Sequence, residues 1–383
     1  MLLKEVYGDE FLKALAAAIL KFDAQFNAKK FLKIDLRAQE LKQRMRSITL
    51  ALDESLSPKK YQQKVEVLKK AVVAISKDKN SGLALIIFPD FVEVFGVSEI
   101  LKQVQDDKIK NRHPELVSGS IEIFNFSMQA LEFFTEFGSS EFAVRQFIKL
   151  DSKHALTFFK KWTKSENYHV RRLASEGCRP RLPWGEALPI FKKDPTEILP
   201  ILENLKCDES EYVRKSVANN LNDISKDNPE VVLELLAKWQ GEVSERLTIH
   251  ALRTLLKKGD QRALKLIGIE RNILSENFAI ESFSLQKAVV KISQDLSFDF
   301  ALHSKAPNNK IRLEYAVHFL MKNGSLTKKN FQITTKNFAK GVFSFTKKHS
   351  FRDLSTRKHN AGRHLISLVV NGLEVDKLEF NLI

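Results

Sequence analysis

The sequence predicts a mainly α-helical protein, a solenoid of paired helices followed by a small all-β sandwich. Before about residue 280, apolar residues recur at helical spacing, as in the stretches 64–75 and 229–239. After it, apolar and polar residues alternate from Lys310 to Phe319, which is the period of a half-buried strand. We therefore expect a helical domain at residues 1–279 and a β domain at residues 280–383.

Two tight turns support the β assignment. Asn323-Gly324 and Asn371-Gly372 both stand between alternating stretches, and Asn-Gly pairs favour two-residue hairpin turns. The segment 362–382 accordingly has the pattern of a strand, a turn and a second strand. Short alternating strands with such turns are typical of a sandwich.

The helical part contains a repeat. Four segments share a polar lead-in, an apolar-rich helix that carries Arg or His near its start, and a second amphipathic helix. Arg171 and Arg214 are 43 residues apart, and Arg214 and Arg253 are 39 apart. A period of about 40 residues is typical of HEAT-like repeats, which stack into a solenoid with a concave face. Repeated arginines would form a basic track suited to a phosphate backbone, although structural ion pairs between repeats are the alternative.

Charge points to a polyanionic partner. The chain has 62 Lys and Arg against 47 Asp and Glu, a net charge of +15. Such an excess favours nucleic acid or an anionic membrane surface, with solubility alone as the alternative. The excess is concentrated, because the stretch from Lys328 to Arg363 holds ten basic residues and one acid, and His169–Arg181 holds four arginines and one glutamate.

Several classes of protein are disfavoured. The longest apolar stretches are too short to span a bilayer, and acidic residues near the start do not suit a signal peptide. Cys178 and Cys207 form no CxxC pair or zinc-ligand cluster, which favours a reducing cytoplasm and predicts no metal site. Because no phosphate-binding loop, nucleophilic triad or metalloprotease motif occurs, the residues alone do not reveal a reaction.

The third repeat carries two stripes on one helix. An apolar stripe predicts the buried face, and it consists of Val213, Val217, Leu221 and Ile224. A second, polar stripe consists of Lys215, Asn219, Asp223 and Lys226. It could face DNA, but the pattern favours a solvated helix surface. Asn220 lies near the apolar stripe, where a structural hydrogen-bond ladder is the expected role.

Four other residues stand out. Trp184 follows prolines and arginines, so its indole could hold a cation or stack on a base, although a plug of the core is favoured for a lone Trp. Arg172 and Glu176 are four apart on a helix and form a plausible structural pair. Glu141 follows two serines that could cap a helix, and the helix dipole favours an acid there.

The stretches His169–Trp184 and Ser210–Glu230 strongly resemble the HEAT-like-repeat DNA alkylation repair glycosylases of the AlkC branch. Further similar blocks are 40–52, 82–96 and 139–147. The segments 349–364 and 370–372 resemble the immunoglobulin-like domain of one subgroup. The resemblance covers almost the whole chain; it departs at Gln146, commonly Pro in the family, and at 106–120, which we interpret as a surface loop or insertion.

The resemblance implies hydrolysis of the N-glycosidic bond of 3-methyladenine and 3-methylcytosine in double-stranded DNA. A base alkylated at a ring nitrogen is cationic and leaves readily, so carboxylates need only stabilise the sugar cation and position water. It further implies a bent duplex, a base left near the stack, and no cofactor or metal. A monomer in the bacterial cytoplasm, associated with the nucleoid, is expected.

Site residues follow from the same resemblance. Glu141 and Asp223 would be the catalytic carboxylates, and Trp184 would contact the lesion or its sugar. Phosphate contacts, or orientation of the acids, are expected of Arg145, Arg171, Arg172, Arg179 and Arg181. Further DNA contacts are expected of His169, Arg214, Lys215, Asn219, Lys347, Lys348, Arg352, Arg357 and Lys358. A non-catalytic scaffold that binds damaged DNA and a protein–protein adaptor are the alternatives.

Overall fold

The computed structural model describes residues 3–56, 58–76, 82–110, 118–270, 277–353 and 358–383. The chain forms two compact units, Met1–Asn228 and Pro229–Ile383. The first strand begins at Phe278, whereas the boundary between the two units lies earlier, between Asn228 and Pro229. The second unit therefore holds both the last three helices and all the strands.

Every regular element among the described residues of the first unit is a helix. Short 3₁₀ turns lie at Leu3–Tyr7, Ala84–Ile86 and Thr196–Ile198, and a π-helical turn lies at Val92–Gly96. Its α-helices are α1 (Asp9–Leu20), α2 (Ala28–Phe31), α3 (Leu41–Ser55), α4 (Tyr61–Ile75), α5 (Ile87–Phe91), α6 (Val97–Lys110), α7 (Ser118–Phe134), α8 (Val144–Leu150), α9 (Ser152–Trp162), α10 (Tyr168–Gly177), α11 (Pro189–Lys193), α12 (Leu199–Leu205) and α13 (Glu211–Ile224). No helix among the described residues is long and apolar enough to cross a membrane.

Helix α10 packs against three other helices, α9, α12 and α13. The predicted apolar stripe of α13 is confirmed, since all four of its residues are fully buried. Helix α10 ends at Gly177, where a Cβ atom would lie 2.7 Å from a methyl of Val144. Glycine thus lets α10 pack closely against α8.

The arginine repeat is kept in two helices and lost in the third. Arg171 and Arg214 are each the fourth residue of their helices, α10 and α13. In α15 (Glu245–Lys258), Arg253 is the ninth residue, so it does not lie at the equivalent position. The prediction of one aligned arginine position was therefore wrong for the third member, and the solenoid itself stays a prediction.

The stretch 106–120 is more helical than expected. Helix α6 continues to Lys110, and α7 begins at Ser118. The prediction of a surface loop was therefore wrong at both ends of the stretch. Residues 111–117 lie outside the described part of the chain.

The second unit combines three helices with two sheets. Its helices are α14 (Pro229–Lys238), α15 and α16 (Gln261–Leu266). Its strands are β1 (Phe278–Leu285), β2 (Val289–Val290), β3 (Asp295–Ser304), β4 (Asn309–Leu320), β5 (Leu326–Phe338), β6 (Gly341–Ser350), β7 (Gly362–Val370) and β8 (Leu373–Leu382). One sheet has the order β1-β3-β6 and the other β2-β8-β7-β4-β5. Apolar residues of both sheets share one core.

Strand β4 is buried on both faces, so the predicted half-buried strand was wrong in this respect. Its apolar residues face the core, but Arg312 and Glu314 on the other face are also buried and form an ion pair of 2.8 Å. Asn371, in the turn after β7, accepts a hydrogen bond from the Arg312 amide and donates one to the Glu270 carbonyl. The helical segment of this unit thus adjoins the sheet.

The predicted two-residue turn at Asn371-Gly372 is confirmed. At Asn323-Gly324 the two-residue turn was wrong, because the five residues 321–325 connect β4 and β5 and only Gly324 of the pair has a positive φ. Asn371 and Gly372 have φ of 48° and 80°, the left-handed conformation that such hairpins require. A Cβ atom on Gly372 would lie 2.6 Å from the Cα atom of Gly259, which follows α15. Glycine at this turn therefore permits close approach of helix and sheet, besides its backbone conformation.

Replacing Gly372 tests that contact. Gly372→Ala should lower the free energy of unfolding by more than about 1 kcal/mol, because both φ and the neighbouring backbone oppose a Cβ atom. Gly324→Ala is the matched control, since Gly324 also has φ of 80° in an Asn-Gly turn but has open space around it. Urea unfolding measures both. Equal losses would show that Gly259 and Gly372 are not in tight contact.

Candidate active site

Three carboxylates and two arginines of the first unit form one continuous chain of ion pairs. Helix α10 supplies Arg172 and Glu176, four residues apart and so on one face. Arg179 follows the end of that helix, Glu141 precedes α8, and Asp223 lies in the last turn of α13. We call this set, Glu141–Arg172–Glu176–Arg179–Asp223, the ion chain.

At one end, Glu141 is held by a serine and an arginine. The Ser139 hydroxyl donates to Glu141 Oε2 at 2.6 Å, and Arg172 Nη1 pairs with the same oxygen. The Arg172 guanidinium also lies over the Tyr212 ring, 5.0 Å from its centroid. The predicted serine cap is wrong, because Ser140 donates to the Leu131 carbonyl instead.

Glu176 occupies the middle of the ion chain. Its Oε1 lies 3.4 Å from Arg172 Nη2 and 2.5 Å from Arg179 Nη1, while the Ser216 hydroxyl donates to Oε2 at 2.6 Å. The predicted pair with Arg172 is therefore present. Glu176 also links Arg172, which pairs with Glu141, to Arg179, which pairs with Asp223. Sequence reasoning did not assign it to the site. The available signal was its position as the one acid among four arginines.

At the other end, Asp223 is buried, so the solvated-face interpretation of its stripe is wrong for this residue. Arg179 donates to Asp223 Oδ2 from Nε at 2.8 Å and from Nη2 at 2.7 Å. Lys226 Nζ lies 2.9 Å from Oδ1. Lys215, in the same stripe, is exposed. Asn220 is buried, and its amide donates to the Ser175 carbonyl at 2.8 Å, which links α13 to α10.

The three carboxylates differ in access to solvent. The exposed fraction of the side chain is 13% for Glu141, 6% for Glu176 and 2% for Asp223. Each is fixed by a guanidinium, so the negative charge is already oriented before any substrate arrives. Such an arrangement can stabilise a developing cation, and Glu141 is the acid that a substrate or water reaches most easily.

Trp184 is exposed, contrary to the favoured interpretation as a core plug. Its side chain is 67% accessible, and its φ is 64°, a conformation rare for any residue other than glycine. Lys42 Nζ donates to its carbonyl at 2.6 Å. Strain of this kind is stored at functional positions more often than elsewhere. The loop therefore presents a bare indole face.

Besides Arg179 of the ion chain, which is also buried, two of the predicted phosphate-contacting arginines are buried against internal partners instead. Arg145 donates to the carbonyls of Gly177, Arg179 and Glu186, and burial lowers the pKa of its guanidinium to about 10. Arg171 pairs with Asp208 at 2.6 Å. Because their charge is used inside the protein, the phosphate interpretation does not fit either residue. Arg145 anchors the Trp184 loop, and Arg171 joins successive helix pairs.

The remaining predicted DNA contacts of the first unit are more accessible. Arg181 pairs with Asp227 at 2.6 Å with a half-exposed guanidinium. Arg214 donates to the Glu209 carbonyl, and Asn219 is half-buried. Burial and then the charge of Arg172 lower the pKa of His169, whose ring lies 4.2 Å from that of Tyr168.

In the β domain, Lys348, Arg352 and Lys358 are exposed and Lys347 is half-buried, while Arg357 lies outside the described residues. Lys347 and Lys348 lie on β6, an edge strand. Among the described residues, no group of three or more His, Cys, Asp or Glu is placed to hold a metal ion.

A cavity of about 410 Å³ lies beside the ion chain, and Trp184 forms part of its wall. It is also lined by Ser139, which donates to Glu141, and by Arg145, which donates to the Arg179 carbonyl. Three carboxyl groups line it, those of Asp90, Glu93 and Glu186, and the first two share Arg46 as a partner. Burial and the nearby Asp90 charge raise the pKa of Glu93 to about 7. Glu93 lies on the π-helical turn, a local structure frequent at functional sites.

The raised pKa of Glu93 predicts how stability depends on pH. Below pH 4.5, the usual pKa of a glutamate, the Glu93 carboxyl is protonated in both the folded and the unfolded protein, so its burial does not lower stability. Above about pH 7 it is ionised in both states, and the whole cost of burying its charge lowers the free energy of unfolding. Glu93→Gln should therefore raise the free energy of unfolding at pH 8, by up to about 3 kcal/mol, and change it little at pH 4.5. Denaturant unfolding at both pH values measures this, with Glu136→Gln, at an exposed position, as control. Equal effects at both pH values would contradict the assignment.

Comparison with known proteins gives matches over both parts of the chain. The family model described as "DNA alkylation repair enzyme" matches residues 133–256, which include the ion chain. The model described as "Uncharacterised protein YhaZ, C-terminal Ig-like domain" matches residues 279–383. The expected immunoglobulin-like domain is thereby confirmed.

Two relatives match over essentially their whole length. The "Uncharacterized protein YhaZ" of Bacillus subtilis (strain 168) is 39% identical over 388 residues and is matched over 99% of each chain. The alkylpurine DNA glycosylase AlkC of Pseudomonas fluorescens, solved bound to DNA containing an abasic site analog, is 34% identical, with a TM-score of 0.86 over 100% of both chains. The chain therefore belongs to the DNA alkylation repair enzyme family, among the AlkC-type proteins with a C-terminal immunoglobulin-like domain.

Proposed function

We propose that this protein is a DNA glycosylase that removes cationic alkylated bases, such as 3-methyladenine and 3-methylcytosine, from double-stranded DNA. The observation that carries the proposal is the ion chain, in which three carboxylates are fixed by two arginines close to an accessible tryptophan. The similarity to an alkylpurine glycosylase solved with DNA supports the same reaction.

The reaction needs negative charge and a placed water more than it needs an acid. A base alkylated on a ring nitrogen already carries positive charge. When the C1′–N bond breaks, the bonding electron pair leaves with the base and neutralises it. Water then adds to the C1′ atom of the sugar cation, and its proton passes through a carboxylate to solvent. The products are the free base and an abasic sugar.

The geometry suggests a division of roles. Glu141 is the most accessible acid, so we assign it to position the water and take its proton. Glu176 and Asp223 supply fixed negative charge that stabilises the sugar cation. Arg172 and Arg179 are positioning residues, because each donates to two of the acids. Trp184 would lie against the lesion or its sugar through its exposed indole face.

DNA binding would use the accessible basic groups of both units. In the first unit these are Arg181, Arg214, Lys215 and Lys226, and in the β domain Lys348, Arg352 and Lys358. Lys347 and Arg357 stay predicted contacts of the same basic stretch. Contacts of this kind carry no sequence information, and they make affinity depend on salt. They would hold a bent duplex so that the lesion meets the carboxylates without full extrusion of the base.

The alternative is a non-catalytic scaffold that binds damaged DNA. The observation that favours it is that each carboxylate already has an arginine partner, as a purely structural ion network would. Such a protein would bind methylated duplex without releasing a base.

Removing the charge of Glu141 tests the proposed chemistry. Glu141→Gln should lower the single-turnover rate of 3-methyladenine release by roughly a hundredfold or more, because the amide takes no proton from water. Affinity for duplex DNA should change little. Base release is followed by mass spectrometry of the products, and affinity by fluorescence anisotropy.

Glu136→Gln is the matched control, because Glu136 is exposed five residues before Glu141. Normal release by the control and loss in Glu141→Gln and Asp223→Asn would support the site. Unchanged release in both of these variants would refute it. A wild-type protein that binds methylated DNA and releases no base would establish the scaffold instead.

The β-domain basic residues have a separate test. Replacing Lys348, Arg352 and Lys358 by Gln should reduce the slope of log affinity against log salt by about 2 to 3, because three phosphate contacts are lost. The control replaces Lys287, Lys291 and Lys305, which are equally exposed in the same domain but outside the basic stretch. Anisotropy titrations over a range of salt measure both; equal slopes would exclude a contact by this surface.

A further inference from the structure

The cavity that adjoins the ion chain has the size of a small-molecule site. Its volume of about 410 Å³ falls in the usual range for ligand pockets, about 300–1,000 Å³. It is formed within the first unit by α3, α5, the π-helical turn, the segment before and within α8, and the loop around Trp184. The proposed chemistry does not use it.

Its walls favour a flat, apolar ring. Met45, Pro89 and Phe142 line it, and Trp184 closes one side with an indole that is two-thirds exposed. An aromatic ligand stacked on this indole would remove apolar surface of both partners from water. Stacking of a base on an aromatic side chain contributes about 1–3 kcal/mol.

Polar groups at the cavity offer both kinds of hydrogen bond. Asp90 is fully engaged, by the Thr49 hydroxyl at 2.6 Å and Arg46 at 2.9 Å. Glu93 has one contact with Arg46 at 3.4 Å and a side chain 18% exposed, so it keeps capacity for a ligand. Because its pKa is raised to about 7, its carboxyl can donate or accept near neutral pH.

The cavity shares a wall with the proposed reaction site. Ser139 lines the cavity, while its hydroxyl donates to Glu141 at 2.6 Å and accepts from Arg172 at 3.0 Å. Arg145 lines it and also holds the carbonyl of Arg179, a member of the ion chain. A molecule that leaves the sugar beside Glu141 therefore has an adjacent apolar space to enter.

We propose that this cavity binds the free methylated base after the glycosidic bond has broken, stacked on Trp184 and hydrogen-bonded to Glu93. The ligand class is a planar nitrogen heterocycle with adjacent donors and acceptors. The proposal rests on the proposed function, because its ligand is the leaving group of that reaction. It adds a product site that delays release of the base and makes the enzyme subject to inhibition by its product.

The test titrates free 3-methyladenine into the full chain without DNA, followed by calorimetry. Wild type should bind it. Glu93→Leu should weaken binding at least tenfold, whereas Glu93→Gln should retain most of the affinity, because an amide still donates and accepts. Met45→Trp should also weaken binding at least tenfold by filling the space. Glu197→Gln is the control, since Glu197 is exposed and does not line the cavity.

A second measurement adds free 3-methyladenine to the base-release reaction, with each variant compared with its own rate in the absence of the added base. Release by wild type should slow, and release by Met45→Trp should slow much less. No binding by folded wild type, or equal binding by Glu93→Leu, Met45→Trp and wild type, would overturn the product site. Base release without such binding would refute the product site and leave the glycosylase proposal standing, whereas binding without base release would refute the glycosylase proposal and, with it, the role of the cavity as a product site.

Discussion

Alternation of charge in the ion chain is the constraint on which the first unit depends. A buried charge without a partner costs several kcal/mol, and Glu176 and Asp223 are both buried. Arg172 and Arg179 each serve two acids, so loss of one arginine would leave two carboxylates poorly paired. The segment before α8, the end of α10 and the end of α13 are thereby held in one geometry.

The loop that carries Trp184 depends on the same region through Arg145. This guanidinium donates to carbonyls at the end of α10 and at Glu186, so it ties both ends of the loop to α8. The anchoring lets Trp184 persist in a strained conformation with its indole uncovered. The neighbouring cavity also lowers stability, because it holds the ionised form of Glu93 partly out of water. Both features lower stability close to the proposed chemistry.

Sequence patterns predicted what depends on neighbours along the chain, and failed where a partner is remote. The apolar stripe of α13 and the two-residue turn at Asn371-Gly372 follow from local spacing. Burial of Asp223 does not, because a helical wheel cannot show that Arg179, 44 residues earlier, folds over it. The exposure of Trp184 has no local signal either, since its carbonyl is held by Lys42, 142 residues away. Strand β4 likewise has a second buried face because helices from the same unit adjoin the sheet, which alternation alone does not reveal.

The chemistry of the site also follows from what the arginines do to the acids. Oxygens of Glu141, Glu176 and Asp223 accept hydrogen bonds from guanidinium groups, so the ion chain offers fixed acceptors rather than a proton for a leaving group. A neutral base in normal DNA needs such a proton to depart, whereas a base alkylated on a ring nitrogen does not. Selectivity for damage would then reside in the reactivity of the lesion, with no need for a pocket that encloses the base before cleavage. A cavity beside the site is consistent with this order of events only if the base enters it after the bond has broken.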